Sequence, residues 1–416
     1  MRLRLLPLSL ACLFLSLAAC ASLSPEVLPT RAVLAPSPVA VSPVAVGGAP
    51  PGAAGVLVAV PTVPTPPVTP RVGDAAATAT SAPTSSPPTA TATMTATPPP
   101  TAVPSPTPTP DPLGVTLDAL RARQYPGGPV EILRTLETTD SYTRYYIAYP
   151  SDGLRITGIM QIPPGPGPFP VIILNHGYHD RGSYWAGSGT WMAAEYLNGR
   201  GYLTIAPDYR TWGESDWGPS LFHTGLVADV LNLIGSLPSI PQADPARLGM
   251  WGHSMGGGIT TKVLTIDSRV RAAVLYAANS GDDADLIARW GRGCLPGESQ
   301  ATTNCNPGEA ILADLPPEVI ADYVAAAADP ARLRDIAPIY HLDRVTAPVQ
   351  IHIGAADGAE LNATPPEWSI KLYAAFQAAG KPAELFVYEG QGHLFYGQGW
   401  SEMITRVGDF FDLYVK

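Results

Sequence analysis

Short apolar runs that suit strands alternate with stretches of helical spacing from about residue 145 to the end of the chain. An apolar run of a few residues between turn residues is typical of a strand, and apolar residues three and four apart indicate a helix. The predicted strands are 145–149, 155–162, 171–174, 202–206, 248–251, 270–276, 349–353 and 385–388, and the predicted helices are 191–197, 224–234, 259–264, 368–379 and 403–414. This alternation predicts an α/β fold, with a mostly parallel sheet and helices on both faces.

The chain between about residues 279 and 343 separates two predicted strands that a shorter connection would ordinarily join. It contains Trp290, two cysteines and a mostly helical, alanine-rich stretch. Connections of this length are typically lids over a site or walls of a pocket, so we expect an inserted, lid-like segment. The alternative is a subdomain at the periphery of the fold.

Residues 1–19 have the pattern of a signal peptide, with Arg2 and Arg4 followed by an apolar run. That run is shorter than the ~20 residues that span a bilayer. It ends in Leu17-Ala18-Ala19-Cys20, which resembles the lipobox of bacterial lipoproteins. The resemblance implies cleavage before Cys20, lipidation of that cysteine and a firm anchor on the outer face of the cytoplasmic membrane. The alternative is an ordinary cleavable signal with an incidental cysteine.

Residues 20–112 differ in composition from the rest of the chain. From Ala21 to Pro112 there is no aromatic residue, there are five charged side chains, and Pro, Thr, Ala, Ser and Val supply nearly everything else. Such a segment cannot bury enough apolar surface to offset the entropy of ordering it, so we predict a disordered stalk. Residues 113–416 hold all 17 Tyr and all 8 Trp, and they suffice for one folded domain.

Two cysteines, Cys294 and Cys305, lie in the insertion with ten residues between them. In an exported domain such a pair favours a disulfide, and the alternative is two free thiols. Closing so short a loop would contribute roughly 3 kcal/mol in the chain-entropy account of disulfide stabilisation. We therefore predict a disulfide inside the insertion.

Gly252-His253-Ser254-Met255-Gly256 has the spacing G-x-S-x-G. A predicted strand leads directly into it and a predicted helix follows, which is the setting of a nucleophile elbow. Such a turn strains the serine backbone, and side chains at positions 252 and 256 would collide with it, which explains the two glycines. The pattern predicts Ser254 as a nucleophile; the alternative is an ordinary glycine-rich turn.

A nucleophilic serine needs a base, and the base needs an acid that orients it. After a nucleophile elbow, the acid and then the histidine follow along the chain. His393 lies in a glycine-rich loop after the last predicted strand and is the predicted base, whereas His352 lies in the middle of a strand. Asp357 follows the preceding strand and is the predicted acid, with Glu360, three residues further on, as its rival.

Acyl transfer also needs two backbone N–H groups that bind the oxyanion. One should be the N–H of Met255, directly after the nucleophile. We assign the other to Tyr178, in the loop after the predicted strand 171–174. Tyr209, Trp212 and Trp217 follow another predicted strand, so they are candidates for substrate contact, and burial against the insertion is equally plausible.

Two groups of polar residues near these motifs could have either a structural or a functional role. Asp208 and Arg210 are two residues apart, and we expect them to form a structural ion pair. His176, His179 and Asp180 have a spacing that could bind a metal, but beside an oxyanion loop we favour a structural or pocket role. We therefore predict no metal and no cofactor.

The motifs occur in an order that resembles the catalytic domain of the prolyl oligopeptidase family and of dienelactone-hydrolase-like esterases. The resemblance extends from about residue 145 to residue 416 and rests on the following segments: His176-Gly177, Asp208-Tyr209-Arg210, Asp244-Pro245-Ala246-Arg247, Gly252–Gly256, Gly354 to Asp357, and Gly392-His393. It implies an α/β-hydrolase fold with a Ser254–Asp357–His393 triad. The family peptidases carry a large β-propeller before this domain, and the dienelactone hydrolases use a cysteine nucleophile.

These observations predict an exported serine hydrolase that cleaves small carboxylic esters. One alternative is a peptidase acting on short peptides, and a second is a surface binding protein that kept the fold and lost catalysis. The net charge is −10 and the Lys and Arg residues are scattered, which excludes the basic stripe of a nucleic-acid groove. Beyond substrate and membrane, the sequence indicates no particular partner.

Overall fold

The computed structural model describes residues 111–416, so the predicted signal peptide, Cys20 and the predicted stalk up to residue 110 lie outside the described residues. Within residues 111–416, nine strands form one sheet: β1 Glu131–Thr138, β2 Thr143–Ser151, β3 Leu154–Ile162, β4 Phe169–Asn175, β5 Leu203–Pro207, β6 Ala243–His253, β7 Val270–Tyr276, β8 Val349–Gly354 and β9 Ala383–Tyr388. The α-helices are α1 Leu117–Ala122, α2 Trp191–Gly199, α3 Thr224–Ser236, α4 Met255–Ile266, α5 Asp283–Trp290, α6 Pro317–Ala327, α7 Pro330–Ile336, α8 Pro366–Ala378 and α9 Gly397–Tyr414.

The sheet is mostly parallel, and its strand order is β1-β2-β3-β5-β4-β6-β7-β8-β9. The pairs β1–β2, β2–β3 and β3–β5 are antiparallel, and the pairs from β5–β4 to β8–β9 are parallel. The carboxyl ends of β4 to β9 therefore meet at one edge of the sheet. In an open α/β sheet this is the edge at which ligands bind.

Apolar side chains pack on both faces of the sheet. In β4, Ile173 belongs to one buried cluster, which includes apolar residues of α3, α4 and α8. Its neighbours Ile172 and Leu174 belong to a second cluster, which includes residues of α2 and α9. Because successive strand residues point to opposite faces, helices cover both faces, and the predicted α/β fold is confirmed. Among the described helices, none combines the length and hydropathy that a bilayer crossing requires.

The predicted strands and helices all appear in the structure, with shifts at their ends. Outside the insertion, two elements were not predicted, β1 and α1; the helices α5, α6 and α7 lie in the insertion, of which only a mostly helical, alanine-rich stretch was expected. In β1 nearly every residue is exposed, because it is an edge strand with a single neighbour, so its sequence lacks the alternation that indicates a strand. The strand β6 begins at Ala243, five residues before the predicted start, because its first part is polar and only half-buried.

The predicted disulfide in the insertion is confirmed. Cys294 and Cys305 are bonded, and their Cα atoms are 4.8 Å apart. The insertion is fastened to the loop after β8 by Trp290, whose Nε1–H donates to the carbonyl of Leu361 at 2.6 Å and whose ring meets that of Trp368 edge-on at 5.2 Å. The segment beside the disulfide is thereby held next to the carboxyl edge of the sheet.

Candidate active site

Three residues singled out from the sequence lie at the carboxyl ends of parallel strands. Ser254 directly follows β6, Asp357 comes three residues after β8, and His393 comes five residues after β9. The Nε2 atom of His393 is 2.9 Å from Ser254 Oγ, and its Nδ1 atom is 3.0 Å from Asp357 Oδ2. The three side chains therefore form one hydrogen-bonded chain, the arrangement in which an imidazole can remove a serine proton.

The backbone at Ser254 has the geometry expected of a sharp strand-to-helix turn. Its φ is +55° and its ψ is −121°, a conformation that L-residues rarely adopt. A side chain at Gly252 would meet the carbonyl oxygen of Gly256, and a side chain at Gly256 would meet that of Asn175. The turn therefore requires both glycines, and it aims the serine hydroxyl out of the sheet edge.

The carboxylate of Asp357 is buried, and several groups hold its position. Its Oδ1 accepts hydrogen bonds from the N–H of Gly358 at 2.7 Å and from the N–H of Thr364 at 3.1 Å. The Thr364 hydroxyl lies 2.8 Å from Oδ2 and 3.0 Å from the carbonyl oxygen of Ala277, so it can donate to either. The rival acid, Glu360, is exposed, and its backbone carbonyl accepts a hydrogen bond from Arg289.

Thr364 is the member of this arrangement that sequence reasoning missed. It lies seven residues after Asp357, in the connection to α8, where the sequence has no strand or helix pattern that would bring it back to the carboxylate. Its Oγ1 is also 3.3 Å from Nδ1 of His393. The one feature of the sequence that points to Thr364 is that it is a small hydroxyl residue in the same loop as the predicted acid, Asp357.

His253 supports the predicted base from behind. Its Nε2 is 3.1 Å from the backbone carbonyl oxygen of His393, and the two imidazole centroids are 4.8 Å apart. Burial lowers the pKa of His253 well below its ordinary value, so its ring is neutral at neutral pH. A neutral ring can hold the loop of His393 without adding a second positive charge next to a forming imidazolium.

Two backbone N–H groups next to Ser254 are free to bind an oxyanion. The N–H of Met255 is at the first turn of α4, where helical N–H groups have no partner within the helix. Within residues 111–416, neither this N–H nor that of Tyr178 donates to a protein acceptor. The loop of Tyr178 passes close to the serine, since a Cβ on Gly177 would lie 3.0 Å from Ser254 Cβ. The partial positive charge at the start of α4 also favours an anion here.

A small cavity of about 50 Å³ opens beside Ser254. It is lined by residues of the catalytic edge, including Met255 and Tyr178, and by residues of the insertion, including Trp290 and Gly308. The lining side chains are neutral: they are amides, an imidazole, hydroxyls and apolar groups. The expected role of the insertion as a pocket wall agrees with this position.

The three aromatic residues considered for substrate contact are not part of this cavity lining. Tyr209 and Trp212 are fully buried in the core, and the ring of Tyr209 lies 4.4 Å from the ring of His176. Trp217 is 65% exposed on the surface. The expectation of substrate contact is therefore corrected: Tyr209 and Trp212 support the oxyanion loop from below, because that loop needs an apolar base on which to pack.

The expected ion pair between Asp208 and Arg210 is wrong. The guanidinium of Arg210 pairs instead with the buried carboxylate of Asp229 on α3, with a shortest distance of 2.8 Å. Asp208 accepts hydrogen bonds from hydroxyl groups, at 2.7 Å from Thr157 and 2.7 Å from Tyr184. Burial raises the pKa of Asp208 to about 6. Both residues follow the end of β5, and Tyr209 between them has a φ of +63°, so the backbone leaves strand geometry there and the two side chains reach different partners.

The histidine cluster in the oxyanion loop has structural contacts. The ring nitrogens of His176 face the carbonyl oxygens of Gly177 at 2.7 Å and of Asp208 at 3.1 Å. Burial lowers the pKa of His176 to about 4, so the ring is neutral at neutral pH. In the described part of the chain, no group of three or more His, Cys, Asp or Glu residues has a geometry that could hold a metal ion.

Comparison with known proteins defines the family. Residues 171–404, more than half of the chain, match the model of the alpha/beta hydrolase family. The chain belongs to this family. The α/β-hydrolase is also similar to the lysophosphatidylserine lipase ABHD12 of Danio rerio, with 32% identity over 95 residues that cover 23% of this chain and 23% of the lipase. The chain spans less than half the length of the curated relatives that it matches.

Solved structures with the same fold include a peptidase and an esterase. A puromycin-hydrolyzing peptidase of Mycobacterium tuberculosis aligns with a TM-score of 0.51 and 20% identity, over 68% of this chain and 41% of the peptidase. An acetyl xylan esterase from Paenibacillus sp. R4 aligns with a TM-score of 0.50 and 18% identity, over 72% of this chain and 92% of the esterase. At these identities the likeness shows the fold alone. The α/β-hydrolase thus shares its fold with a peptidase and an esterase.

Proposed function

We propose that this α/β-hydrolase is an extracytoplasmic serine hydrolase that cleaves carboxylic esters through an acyl intermediate on Ser254. The observation that carries the proposal is the hydrogen-bonded chain in which His393 lies 2.9 Å from Ser254 and 3.0 Å from Asp357. These distances are within the range at which a general base takes the proton of its nucleophile.

The proposed reaction has two halves. In the first, Ser254 Oγ attacks the ester carbonyl carbon while Nε2 of His393 takes the hydroxyl proton, and Asp357 stabilises the resulting imidazolium. The oxyanion is bound by the N–H groups of Met255 and Tyr178, each worth roughly 3 kcal/mol at the transition state. His393 then gives its proton to the departing alcohol. In the second half, His393 takes a proton from the water that attacks the acyl carbon, and it returns a proton to Ser254 Oγ as the acyl–oxygen bond breaks and the carboxylic acid leaves.

The neutral cavity favours an ester over a peptide substrate. An enzyme that captures the charged terminus of a short peptide must bury that charge, and a buried charge requires a counter-charge or a dense set of hydrogen bonds. The neutral side chains beside Ser254 suit an uncharged substrate better. The similar lipase of Danio rerio and the structurally similar esterase are named as enzymes of ester cleavage, and we extend that chemistry to this chain as part of the proposal.

A fluorophosphonate probe and two substrate classes test this function. We expect wild-type protein to be labelled, the Ser254→Ala variant to remain unlabelled, and 4-nitrophenyl esters to be cleaved much faster than aminoacyl-anilides. A wild type that resists labelling, or a Ser254→Ala variant that is labelled equally, would overturn the nucleophile. Faster cleavage of the anilides would instead indicate a peptidase.

The proposed location rests on the leader and on the disulfide. The disulfide Cys294–Cys305 suits an oxidising compartment outside the cytoplasm. We expect radiolabelled palmitate to be incorporated into the wild-type protein when it is expressed in a bacterium, and Cys20→Ser to abolish incorporation. Cys12→Ser, in the same apolar run, is the matched control and should be labelled like the wild type. Equal labelling of the Cys20→Ser variant would contradict the anchor.

A further inference from the structure

The lining of the cavity beside Ser254 includes two polar residues that the proposed mechanism does not use, His223 and Asn279. Both side chains are buried and only 5% exposed. Buried polar groups in native proteins nearly always have hydrogen-bond partners, so unused ones at a cavity indicate a ligand.

Asn279 lies three residues after the end of β7, at the edge where Ser254 also lies. Its backbone N–H donates to the carbonyl oxygen of Ser254 at 2.9 Å, which fixes its position relative to the nucleophile. Its side-chain Oδ1 is buried and has no hydrogen-bond partner among the described residues. An unsatisfied buried group of this kind destabilises the protein, and a bound ligand that pairs with it removes the penalty.

His223 lies at the start of α3, and its backbone φ of +59° turns its imidazole toward the cavity. Its Nδ1 is 3.4 Å from Oε1 of the buried Glu309. Its Nε2 lies beside Gly308, where an added Cβ would be 3.4 Å away and would cover part of this edge of the ring. The edge of the ring that bears Nε2 is therefore available to a molecule in the cavity.

The protonation states of His223 and Glu309 decide whether Nε2 of His223 is a hydrogen-bond donor or an acceptor. Burial lowers the pKa of His223 to about 3, so the ring is neutral. Burial raises the pKa of Glu309 to about 8, so at neutral pH this carboxyl is protonated, with its Oε1 atom 3.4 Å from Nδ1. In the matching tautomer the ring hydrogen is on Nε2, and His223 is a hydrogen-bond donor to the cavity.

The two groups complement a hydroxyl. A hydroxyl oxygen accepts the Nε2–H of His223, and its hydrogen is donated to Oδ1 of Asn279. The cavity shares Met255 and Tyr178 with the oxyanion loop, and His393, which must protonate the leaving alcohol, is not part of its lining in the described chain. The cavity therefore receives the acyl side of the substrate.

We infer that His223 and Asn279 are specificity-determining residues that select esters whose acyl chain carries a hydroxyl group. The inference rests on the proposed ester hydrolysis, and it adds the substrate class. Met255 and Trp290 line the cavity with apolar groups that can contact the carbon atoms of the chain, and the two polar residues bind its hydroxyl.

Matched pairs of substrates test the selection. Each pair exchanges a hydroxyl for a methyl group: 4-nitrophenyl 3-hydroxybutyrate with 3-methylbutyrate, and 6-hydroxyhexanoate with heptanoate. We expect wild-type kcat/KM to favour the hydroxy ester of at least one pair about tenfold, after correction for the hydroxide-catalysed rates, since two hydrogen bonds depend on it. Asn279→Leu removes the acceptor, so the substrate hydroxyl hydrogen loses its partner, and this preference should fall to about one.

The control and a binding measurement separate this inference from the proposed function. Asn304→Leu makes the same change at an exposed position of the insertion, outside the cavity lining, and should keep the wild-type preference. His223→Phe should lose the preference as Asn279→Leu does. In the Ser254→Ala protein, methyl 3-hydroxybutyrate should bind more tightly than methyl 3-methylbutyrate, by calorimetric competition, and Asn279→Leu should remove the difference.

Two results would overturn the inference: a wild type that cleaves both members of each pair equally, or a preference that survives Asn279→Leu. If selective binding is found in the Ser254→Ala protein while the wild type cleaves no ester, the substrate class stands and the proposed hydrolysis fails. The two hypotheses therefore give different results in the same set of proteins.

Discussion

The strand-end residues and the cavity beside them are built from different parts of the fold. Ser254, Asp357 and His393 follow three parallel strands of the central sheet, so the sheet itself sets their mutual distances. The cavity combines residues from the start of α3, the loop after β7 and the disulfide-bonded insertion. Chemistry shared across a family belongs in the rigid part, and substrate choice belongs in connections that vary. Mutations should therefore affect turnover and selectivity separately.

The largest effect should come from the acid. Asp357→Asn keeps the shape of the side chain but favours the wrong imidazole tautomer, and we expect kcat to fall about 10⁴-fold, or about 5.5 kcal/mol. Glu360→Gln makes the same chemical change at the exposed rival position and should leave kcat near the wild-type value. Steady-state kinetics on a 4-nitrophenyl ester, with melting temperatures for both variants, measures this. A large loss in Glu360→Gln would move the acid to that residue.

The second largest effect should come from Glu309, which lies beside His223 of the cavity lining, and it should appear in the pH dependence of stability. The folded-state pKa of Glu309 is raised to about 8, so the folded protein holds a proton that the unfolded chain releases above about pH 4.5. Stability is therefore lost as the pH rises through this window, by about 1.4 kcal/mol per pH unit. Glu309→Gln cannot lose a proton. Its free energy of unfolding should therefore rise relative to that of the wild type by about 4 kcal/mol between pH 5 and pH 8.

Urea unfolding at four pH values between 5 and 8 measures this difference. Glu298→Gln is the control in the same insertion. The ion pair with Arg292 lowers the pKa of Glu298 to about 2, so its contribution is lost only below this window and should stay constant within it. A difference between wild type and Glu309→Gln that does not grow with pH would show that Glu309 is ionised in the fold.

The disulfide should affect the part of the insertion that lines the cavity, without affecting the reactivity of Ser254. Replacing both Cys294 and Cys305 by serine removes a short loop closure and should cost about 3 kcal/mol of stability. The wall beside Ser254 would loosen, so KM should rise, while the folded variant should still be labelled by a small fluorophosphonate. Loss of labelling in a folded variant would contradict the separation, because it would make the triad dependent on the insertion.

The residues found from the sequence are those whose positions the sheet determines. Parallel strands bring their carboxyl ends together, so Ser254, Asp357 and His393 could be predicted to meet from the order of strands alone. Asn279 follows β7 by the same logic and could have been found in this way. His223 could not, since its position depends on a left-handed turn between two buried segments.

The errors have the same physical origin. Asp208 and Arg210 were expected to pair because they are close in the chain, yet Arg210 reaches Asp229, nineteen residues away on α3. Tyr209 and Trp212 were candidates for substrate contact because they follow a strand, yet they are buried beneath the site. Proximity along a loop does not determine which side of the backbone a side chain takes, and packing decides it.

The smallest effect should come from Thr364, a positioning residue in the connection after β8. Thr364→Val keeps the shape and removes the hydroxyl that holds the Asp357 carboxylate, so we expect kcat to fall about tenfold, or about 1.4 kcal/mol, with KM unchanged. Thr364→Ser restores the hydroxyl and should recover most of kcat. A rise in KM with kcat unchanged, or a Ser variant no better than Val, would assign Thr364 to the cavity rather than to the acid, and the boundary between the two regions would have to be redrawn.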